Sequence, residues 1–400
     1  MSAPTSYLGP NALFDWLDAH DGKGTVDVVL LTHPRDEGDA PRLFPFIGKL
    51  DTHEVAGLQR HLNPMFGEII DTGSFTVGIM FLPFFAHELI EPKSRRRCAQ
   101  ILQEDAIRMA AKVGAKVLCL GGLTGALSLY GRKLVEPAER AGMALTTGHA
   151  LTAVGVHQTY AQALKELDRD PGAQRLTVLG VGSIGRAFVQ LLQASGRPPR
   201  ELVLVDRPQA AGKLEKLARE FEERTGAVAL TEVTDKTGTL VPGSACYATD
   251  VLISAVSTPY VVDIDRVAPG TILVDDSQPY CWDRDKAWRR VEAAADIVPC
   301  DAGLVDCAGI GYSSRFPFDF ADADTASGSS TTAWTCQTEG MLLALDDRLP
   351  RTIGEPSIET ILAYEDAYLA NGLRIPTLQC GPNPLPIDKI RAAAVTGAAA

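Results

Sequence analysis

The stretch Leu176-Thr177-Val178-Leu179-Gly180-Val181-Gly182-Ser183-Ile184-Gly185 decides the fold of the middle of this chain. It begins as a short apolar strand and ends in a glycine-rich turn. The apolar residues that follow recur at helical spacing, so the turn opens a helix. A second apolar strand, Leu202–Val205, comes next, and the acidic Asp206 stands at its end. This order of strand, glycine turn, helix, strand and acid predicts a Rossmann-type dinucleotide-binding unit.

The glycine turn gives each of its three glycines a separate physical task. Gly180 permits the tight turn, Gly182 lets the backbone approach a pyrophosphate, and Gly185 lets the helix pack closely on its strand. The first helical turn, with Ser183 and Ile184, offers backbone N–H groups and a partial positive charge to the phosphates. A glycine-rich turn without a ligand is the alternative. The surrounding strand and helix favour the dinucleotide, and with it a nicotinamide-dependent oxidoreductase.

Two neighbouring residues bear on the choice of dinucleotide. Asp206 would accept a hydrogen bond from a ribose 2′-hydroxyl and repel a 2′-phosphate, which favours NADH. Arg207, directly after it, would pair with that phosphate and favour NADPH. The residues themselves leave both dinucleotides open.

The pattern of alternating strands and helices extends beyond this stretch. Apolar runs of four to six residues recur as far as Asp275, which is typical of a parallel sheet covered on both faces. In the first half, a strand is predicted at Val26–Leu31, and a helix from Cys98 to Val113 leads into a strand at Lys116–Leu120. We therefore expect a second α/β region before the Rossmann-type unit.

After about residue 310 the pattern becomes helical, with helices predicted over 331–345 and 358–369. The chain is long enough for two or three domains. We predict an α/β fold with a Rossmann-type parallel sheet in three parts: an N-terminal substrate region (1–165), a dinucleotide-binding Rossmann domain (166–310) and C-terminal helices (311–400).

Composition and charge exclude several classes of protein. Hydrophobic residues make up 46% of the chain and charged residues 22%, which is typical of a packed globular protein. The net charge of −12 argues against nucleic acid as the main partner, because phosphate binding needs a basic surface. There is no apolar run of about 18 residues, and the N-terminus lacks the basic and apolar regions of a signal peptide. We expect a soluble, cytoplasmic protein without a membrane span.

The cysteines and histidines do not form a metal-binding pattern. The eight cysteines are scattered without C-x-x-C spacing, and all seven histidines occur at or before His157. We predict no metal site, and reduced thiols. The dense basic cluster of Lys93, Arg95, Arg96 and Arg97 is interpreted as a solvated helix face, with a docking patch for an acidic carrier as the alternative.

Cys336 has the most suggestive surroundings of the eight cysteines. It follows the Ser/Gly-rich loop Ser327–Ser330, whose residues are good helix N-caps. The dipole of a helix favours the thiolate of a cysteine in its first turn, although the effect fades further along. A buried core cysteine is the alternative on spacing alone.

Several short segments resemble one known family. The similarity extends from Phe46-Ile47-Gly48 to Pro376. Its recognisable pieces are Lys112-Val113-Gly114 to Leu120-Gly121-Gly122, Thr146-Thr147-Gly148 with Thr152-Ala153, the glycine turn, Val274-Asp275 with Pro279, Gly303-Leu304-Val305, and Cys336 with Glu339, Leu342 and Leu343. In these pieces the chain resembles the cyanobacterial long-chain acyl-(acyl-carrier-protein) reductases.

The resemblance implies a function, a nucleophile and a partner. Members of that family reduce a carrier-bound acyl thioester to an aldehyde with NADPH, and Cys336 matches their acyl-accepting cysteine. The partner would be acyl carrier protein or another thioester carrier. Backbone N–H groups near Gly121, Gly122 or Gly148 are candidates to stabilise the oxyanion. His149 is a candidate proton donor to the leaving thiol, because the pKa of a free histidine lies near neutrality; a structural histidine is the alternative.

Two other functions fit the same Rossmann core. A nicotinamide-dependent dehydrogenase of amino or keto acids would need no cysteine and form no covalent intermediate. A dinucleotide-binding regulatory or scaffold protein would show no turnover. An acyl adduct would indicate the thioester reductase, and hydride transfer that depends on an amine would indicate the dehydrogenase. Dinucleotide binding with neither of these would indicate the regulatory or scaffold protein.

Overall fold

A computed structural model describes residues 26–35, 39, 49–313 and 331–397 of the chain. The predictions for the start of the chain, for Phe46–Gly48 and for the loop Ser327–Ser330 lie outside these residues. Contacts between Cα atoms divide the described chain into two compact units. Unit 1 contains described residues of 26–152 and 305–374, and unit 2 contains 153–304 and 375–397. The predicted division into three parts stays a prediction.

Unit 1 is built on a five-stranded sheet in the order β2-β3-β1-β4-β5. Its strands are β1 (Val28–Thr32), β2 (Met65–Asp71), β3 (Thr76–Phe81), β4 (Val117–Leu120) and β5 (Ala144–Thr146). Strands β3, β1, β4 and β5 run parallel, and β2 pairs antiparallel with β3 at the edge. The central strands β1 and β4 are buried along most of their length, as expected for a sheet covered on both faces.

The helices of the first half of unit 1 connect these strands. They are α1 (Thr52–Gln59), α2 (Ala86–Ile90), α3 (Pro92–Gln100), α4 (Ile107–Lys112), α5 (Thr124–Leu127) and α6 (Val135–Arg140). A π-helical turn, Ile101–Ala106, joins α3 to α4. The predicted helix over Cys98–Val113 therefore begins earlier, at Pro92, whose fixed φ suits a first helical position. Lys93, Arg95 and Arg96 are exposed on α3, while Arg97 donates to the carbonyl oxygen of Arg60 at 2.9 Å.

Unit 2 contains a six-stranded, all-parallel sheet in the order β11-β10-β9-β6-β7-β8. Its strands are β6 (Arg175–Leu179), β7 (Glu201–Asp206), β8 (Val228–Val233), β9 (Val251–Ser254), β10 (Ile272–Asp275) and β11 (Val298–Asp301). If β6 to β11 are numbered 1 to 6, the order of the sheet from the β8 edge is 3-2-1-4-5-6. This is the Rossmann strand order. The predicted Rossmann-type α/β fold is confirmed.

The helices of unit 2 cover this sheet. They are α7 (His149–Glu166), which starts within unit 1, α8 (Ser183–Ala194), α9 (Ala211–Thr225), α10 (Arg284–Ala294) and α13 (Ile387–Gly397). The apolar face of α8 buries Phe188, Val189 and Leu192 in one core with the strands. Burial of such side chains contributes about 1.5–3 kcal/mol each. Asp283 caps α10 by accepting a hydrogen bond from the amide of Lys286 at 2.9 Å.

The last part of unit 1 differs from the prediction. Strand β13 (Thr332–Trp334) pairs with β12 (Leu304–Asp306), and only then does helix α11 (Thr335–Leu345) begin; α12 (Ile358–Ala370) follows. The predicted helix over 331–345 is therefore too long by four residues at its start, because pairing with β12 extends the backbone there. A small hairpin of β14 (Gln379–Cys380) and β15 (Asn383–Pro384) belongs to unit 2. Among the described residues, no helix combines the length and apolar character needed to cross a membrane.

Candidate functional site

The glycine turn of unit 2 lies between β6 and α8, and its glycines have different surroundings. Gly180 has φ +90°, and a Cβ atom placed on it would lie 2.5 Å from the carbonyl oxygen of Ala255. A Cβ on Gly185 would lie 2.1 Å from the carbonyl oxygen of Gly180. A Cβ on Gly182 would meet nothing within 4 Å. Packing within the protein therefore requires the first and third glycines, whereas the second borders open space.

The start of α8 is suited to a phosphate. Gly182 is the N-cap residue and provides no side-chain acceptor. The first intrahelical bond runs from the amide of Arg186 to the carbonyl oxygen of Gly182 at 3.0 Å. Amides of a first helical turn, here Ile184 and Gly185, lack acceptors within their own helix. Together with the open space at Gly182, they fit the pyrophosphate of a dinucleotide.

Asp206 and Arg207 lie at the end of β7. The carboxylate of Asp206 accepts from the amide of Val181 at 2.8 Å and from the amide of Arg207 at 2.7 Å. Each carboxylate oxygen has a further lone pair for a ribose hydroxyl. The exposed guanidinium of Arg207 donates to the hydroxyl of Thr258 at 3.0 Å. Asp206 is thus held against the glycine turn, and both residues stay predicted cofactor ligands.

Cys336 lies in unit 1, at the second position of α11. It is therefore in the first turn, where the helix dipole acts most strongly on a thiol. From Thr335 to Leu343 every residue of α11 is buried except Cys336, which is partly exposed. The helix can lie this close to the sheet because Gly340 faces it. A Cβ there would be 3.1 Å from the Cβ of Cys119 and from a methyl group of Val28.

The other seven cysteines, all within the described residues, are buried. Burial raises the pKa of each of these thiols, to about 12 for Cys98, Cys246 and Cys307, and well above the usual range for Cys119, Cys281, Cys300 and Cys380. They remain protonated and unreactive at neutral pH. Cys119 has a structural task, since its thiol donates to the carbonyl oxygen of Cys336 at 2.6 Å.

A second helix start meets Cys336. Gly148 directly precedes α7 and has φ +76°, and a Cβ on it would lie 2.5 Å from both Cα and Cβ of Cys336. The hydroxyl groups of Thr335 and Thr152 are 3.0 Å apart and link the first turns of α11 and α7. A glycine at position 148 therefore allows the start of α7 to approach the backbone of Cys336 closely.

Glu339 holds this arrangement from the interior of α11. Its buried carboxyl accepts from the hydroxyl of Thr146, from the amide of Gly148 at 3.2 Å and from the amide of Leu151 at 2.8 Å. Burial raises the pKa of the Glu339 carboxyl, although these hydrogen bonds oppose the shift. Glu339 therefore caps α7 from a neighbouring helix. The sequence around Cys336 did not predict this capping role of Glu339, because the amides that it binds lie about 190 residues away along the chain.

The three glycines proposed as oxyanion donors are not equivalent. The amide of Gly121 donates to the carbonyl oxygen of Leu31 at 2.8 Å, and the amide of Gly148 donates to Glu339. The amide of Gly122 has no acceptor among the described residues. A Cβ on Gly121 would be 3.6 Å from the sulfur of Cys336, so this turn lies against the thiol. Of the three, Gly122 keeps a backbone donor for a ligand.

Two histidines are buried near this turn. Burial lowers the pKa of His149 to about 4, and the edge of its ring contacts Tyr130 with centroids 5.6 Å apart. His149 is therefore uncharged at neutral pH and carries no imidazolium proton to donate; its catalytic role stays a prediction. Burial likewise lowers the pKa of His33 to about 4. Its Nε2 accepts from the amide of Leu123 at 3.0 Å and its Nδ1 lies 2.9 Å from the carbonyl oxygen of Pro34.

The role of His33 was missed in the sequence, where it simply follows the predicted strand Val26–Leu31. A Cβ on Gly122 would lie 2.7 Å from the Nε2 atom of His33, so the histidine shapes the Gly121-Gly122 turn. A polar residue at the carboxyl end of a parallel strand is the signal that marks it. Among the described residues, no group of three or more His, Cys, Asp or Glu side chains is arranged to hold a metal ion.

The close contact between Gly148 and Cys336 predicts a large difference between two glycine substitutions. Gly142→Ala, at φ +75° with nothing near its Cβ position, should cost about 1–2 kcal/mol from backbone conformation alone. Gly148→Ala has a similar φ and should cost about 1–3 kcal/mol more, because its methyl group overlaps Cys336. Denaturant unfolding of both variants measures the difference. Equal losses of stability would contradict the close approach of α7 and α11.

No protein-family model matches this chain. It is 26% identical over 236 residues to aminotransferase PigE of Serratia sp. (strain ATCC 39006), which covers 58% of this chain. The chain spans about a quarter of the length of that curated relative, 25%. Similar solved structures include a glutamate dehydrogenase (12% identity, 94% of this chain and 80% of that one, TM-score 0.41). Another is the L-tryptophan dehydrogenase of Nostoc punctiforme (10% identity, 94% of this chain and 89% of that one, TM-score 0.38).

The predicted membership of the acyl-(acyl-carrier-protein) reductase family is wrong. The similar proteins are amino-acid dehydrogenases and a protein named as an aminotransferase. The segments that suggested the family are short pieces spread over the chain, and glycine turns of this kind recur in many dinucleotide-binding proteins. Two expectations rested on that resemblance: a preference for NADPH and a carrier protein as partner. Neither is supported any longer. A role for Cys336 has to rest on its surroundings.

Proposed function

We propose that this protein is a nicotinamide-dependent oxidoreductase. The open space at Gly182, the first turn of α8 and the carboxylate of Asp206 support this proposal, because together they fit a pyrophosphate and a ribose. The similar solved structures include two dehydrogenases. A bound nicotinamide dinucleotide supplies a hydride. The residues of the glycine turn bind and orient it.

For the reaction itself, we propose reduction of an acyl thioester to an aldehyde through Cys336. The observation that carries this proposal is that Cys336 is the one partly exposed position between Thr335 and Leu343 of α11. A thiol there lies in the first turn of a helix and is accessible to a substrate, whereas the other seven cysteines are buried.

The chemistry balances in two steps. The thiolate of Cys336 attacks the acyl carbonyl, its sulfur bonds to the acyl carbon, and the thiol of the substrate leaves with a proton. Hydride, which a bound nicotinamide would supply, and a proton would convert the Cys336 thioester to a thiohemiacetal. Loss of its hydroxyl proton and breakage of its C–S bond would release the aldehyde and regenerate the thiolate. The amide of Gly122 is a donor for the oxyanion in both steps. The proton that the leaving thiol gains balances the one that Cys336 lost in forming its thiolate. His149 is the candidate to carry it, although burial lowers the pKa of His149 to about 4.

A second candidate function is an amino- or keto-acid dehydrogenase that forms no covalent intermediate. The names of the similar solved proteins and of the curated relative agree better with this candidate. The partial exposure of Cys336 in the first turn of α11 is the observation that favours the first candidate.

A single set of assays separates these functions. The full chain is mixed with acyl thioesters of coenzyme A and of acyl carrier protein, and its intact mass is recorded before NADH or NADPH is added. An acyl adduct followed by aldehyde release supports the thioester reductase. Hydride transfer that requires ammonia or an amino acid, with no adduct, supports the dehydrogenase. Dinucleotide binding with neither activity supports a regulatory or scaffold protein.

The position of Asp206 predicts its effect on dinucleotide choice. In Asp206→Ala the ratio of NADPH to NADH affinity should rise about tenfold, because a negative charge no longer faces the 2′-phosphate. Arg207 is retained as a partner for that phosphate. Dissociation constants for both dinucleotides measure the ratio, and Glu223→Ala, an exposed carboxylate on α9, controls for the change in net charge. A ratio that does not move would place Asp206 away from the ribose.

A further inference from the structure

In unit 2 the segment after β10 continues beside the segment after β9. The amide of Asp276 donates to the carbonyl oxygen of Ser254 at 2.9 Å, and the amide of Gln278 donates to the carbonyl oxygen of Val256 at 3.1 Å. The ladder between the two strands therefore extends past their ends. As a result, residues 276–278 are held in an ordered position at the carboxyl edge of the sheet.

The two neighbours of Asp276 bond within the protein. The carboxyl of Asp275 accepts from the hydroxyl of Ser254 at 2.7 Å and from the amides of Ser277 at 3.0 Å and Cys281 at 2.9 Å. The hydroxyl of Ser277 accepts from the amide of Val256 at 3.0 Å. Both of these side chains are buried. They are the internal polar groups that fasten the two segments together.

Asp276 differs from both neighbours. Successive side chains of an extended segment point to opposite sides, so Asp276 points away from Asp275 and Ser277. It is half-buried, and its carboxyl has no hydrogen bond or ion pair with any described residue. Burial and the nearby Asp275 raise the pKa of the Asp276 carboxyl well above its usual range. The Asp276 carboxyl is therefore available to a ligand at this edge of the sheet, whereas the polar side chains of its neighbours are engaged within the protein.

The sheet topology indicates which ligand group this is. In the strand order of unit 2, β6, β7 and β8 form one mononucleotide-binding half and β9, β10 and β11 the other. The glycine turn and Asp206 belong to the first half, which binds the adenosine side. The segment after β9 borders the turn, because Ala255 is the residue that a Cβ on Gly180 would overlap. Asp276 lies one strand further, at the carboxyl edge of the nicotinamide half.

We propose that Asp276 binds the carboxamide of the nicotinamide ring and so fixes which way the ring faces. This inference rests on the proposed nicotinamide-dependent function. The carboxamide NH2 group is a hydrogen-bond donor, and a carboxyl oxygen is its natural acceptor. Such a bond constrains rotation of the ring and positions the carbon that carries the hydride.

Binding measurements on the full chain test the proposal without any catalytic assay. NADH, ADP-ribose and the acetylpyridine analogue of NADH are titrated against the wild type, Asp276→Ala and Asp276→Asn. ADP-ribose lacks the nicotinamide ring, and in the analogue a methyl group replaces the NH2 donor. Asp276→Ala should weaken NADH about tenfold and leave ADP-ribose and the analogue within about twofold of the wild type. Asp276→Asn keeps an oxygen acceptor and should lose less than the alanine variant.

The outcomes separate this inference from the proposed function. If the wild type binds none of the three ligands, the proposed function fails and this inference with it. If the wild type binds NADH and Asp276→Ala binds it equally well, the inference alone is overturned. It is also overturned if Asp276→Ala weakens ADP-ribose or the analogue as much as NADH. Glu223→Ala matches the change in net charge, and the isosteric Asp276→Asn keeps the test decisive if the alanine variant unfolds.

Discussion

Cys336→Ala is expected to abolish both the acyl adduct and aldehyde formation, lowering turnover by about 10⁴-fold or more, since removal of a covalent nucleophile has effects of this size. Dinucleotide affinity should stay within about twofold, because the glycine turn and Asp206 make no use of this side chain. Intact mass measures the adduct, and NADH titration measures affinity.

A matched variant makes this result interpretable. Cys98→Ala truncates another thiol of unit 1, one that is buried and whose pKa burial raises to about 12. It should keep the adduct, while costing stability through the small cavity it leaves. Unfolding midpoints of both variants are needed beside the activity. A persisting adduct in well-folded Cys336→Ala protein would exclude Cys336 as the nucleophile, and the dehydrogenase candidate would then lead.

Gly182→Val is expected to weaken dinucleotide binding by at least about 100-fold while leaving the fold intact. A Cβ at this position meets no protein atom within 4 Å, so the valine side chain would occupy the space proposed for the pyrophosphate. Calorimetric titration with NADH and NADPH measures the loss.

The neighbouring glycines provide contrasting controls. Gly180→Ala and Gly185→Ala would place methyl groups 2.5 Å and 2.1 Å from backbone oxygens and should lower the stability of unit 2 itself. Gly212→Val, on α9 with nothing near its Cβ position, should change neither stability nor affinity strongly. Unchanged affinity in folded Gly182→Val protein would remove the dinucleotide from this turn, and with it the proposed function.

The sequence alone determined the Rossmann-type unit, because its signals are local. Strand β6, the glycine turn, the apolar face of α8 and Asp206 lie within about thirty consecutive residues, and each makes its contacts with the others. Apolar runs of four to six residues likewise marked the central strands. Strand β13 was predicted as helix, because a strand of only three residues is too short to show a sequence period and its pairing with β12 is not visible in the sequence.

Only the tertiary structure decided what surrounds Cys336. Its thiol region is built from the end of β4, the turn at Gly121 and the start of α7, more than 180 residues away along the chain. The sequence could not show that seven cysteines are buried and one is partly exposed, because spacing does not reveal which position of a largely buried helix remains accessible. The sequence also could not show that Asp276 differs from its two polar neighbours. Those neighbours have hydrogen-bond partners within the β9–β10 region, whereas the Asp276 carboxyl has none among the described residues. Burial and long-range hydrogen bonding, which depend on how distant segments pack, separate a reactive or ligand-binding side chain from chemically identical ones in the core.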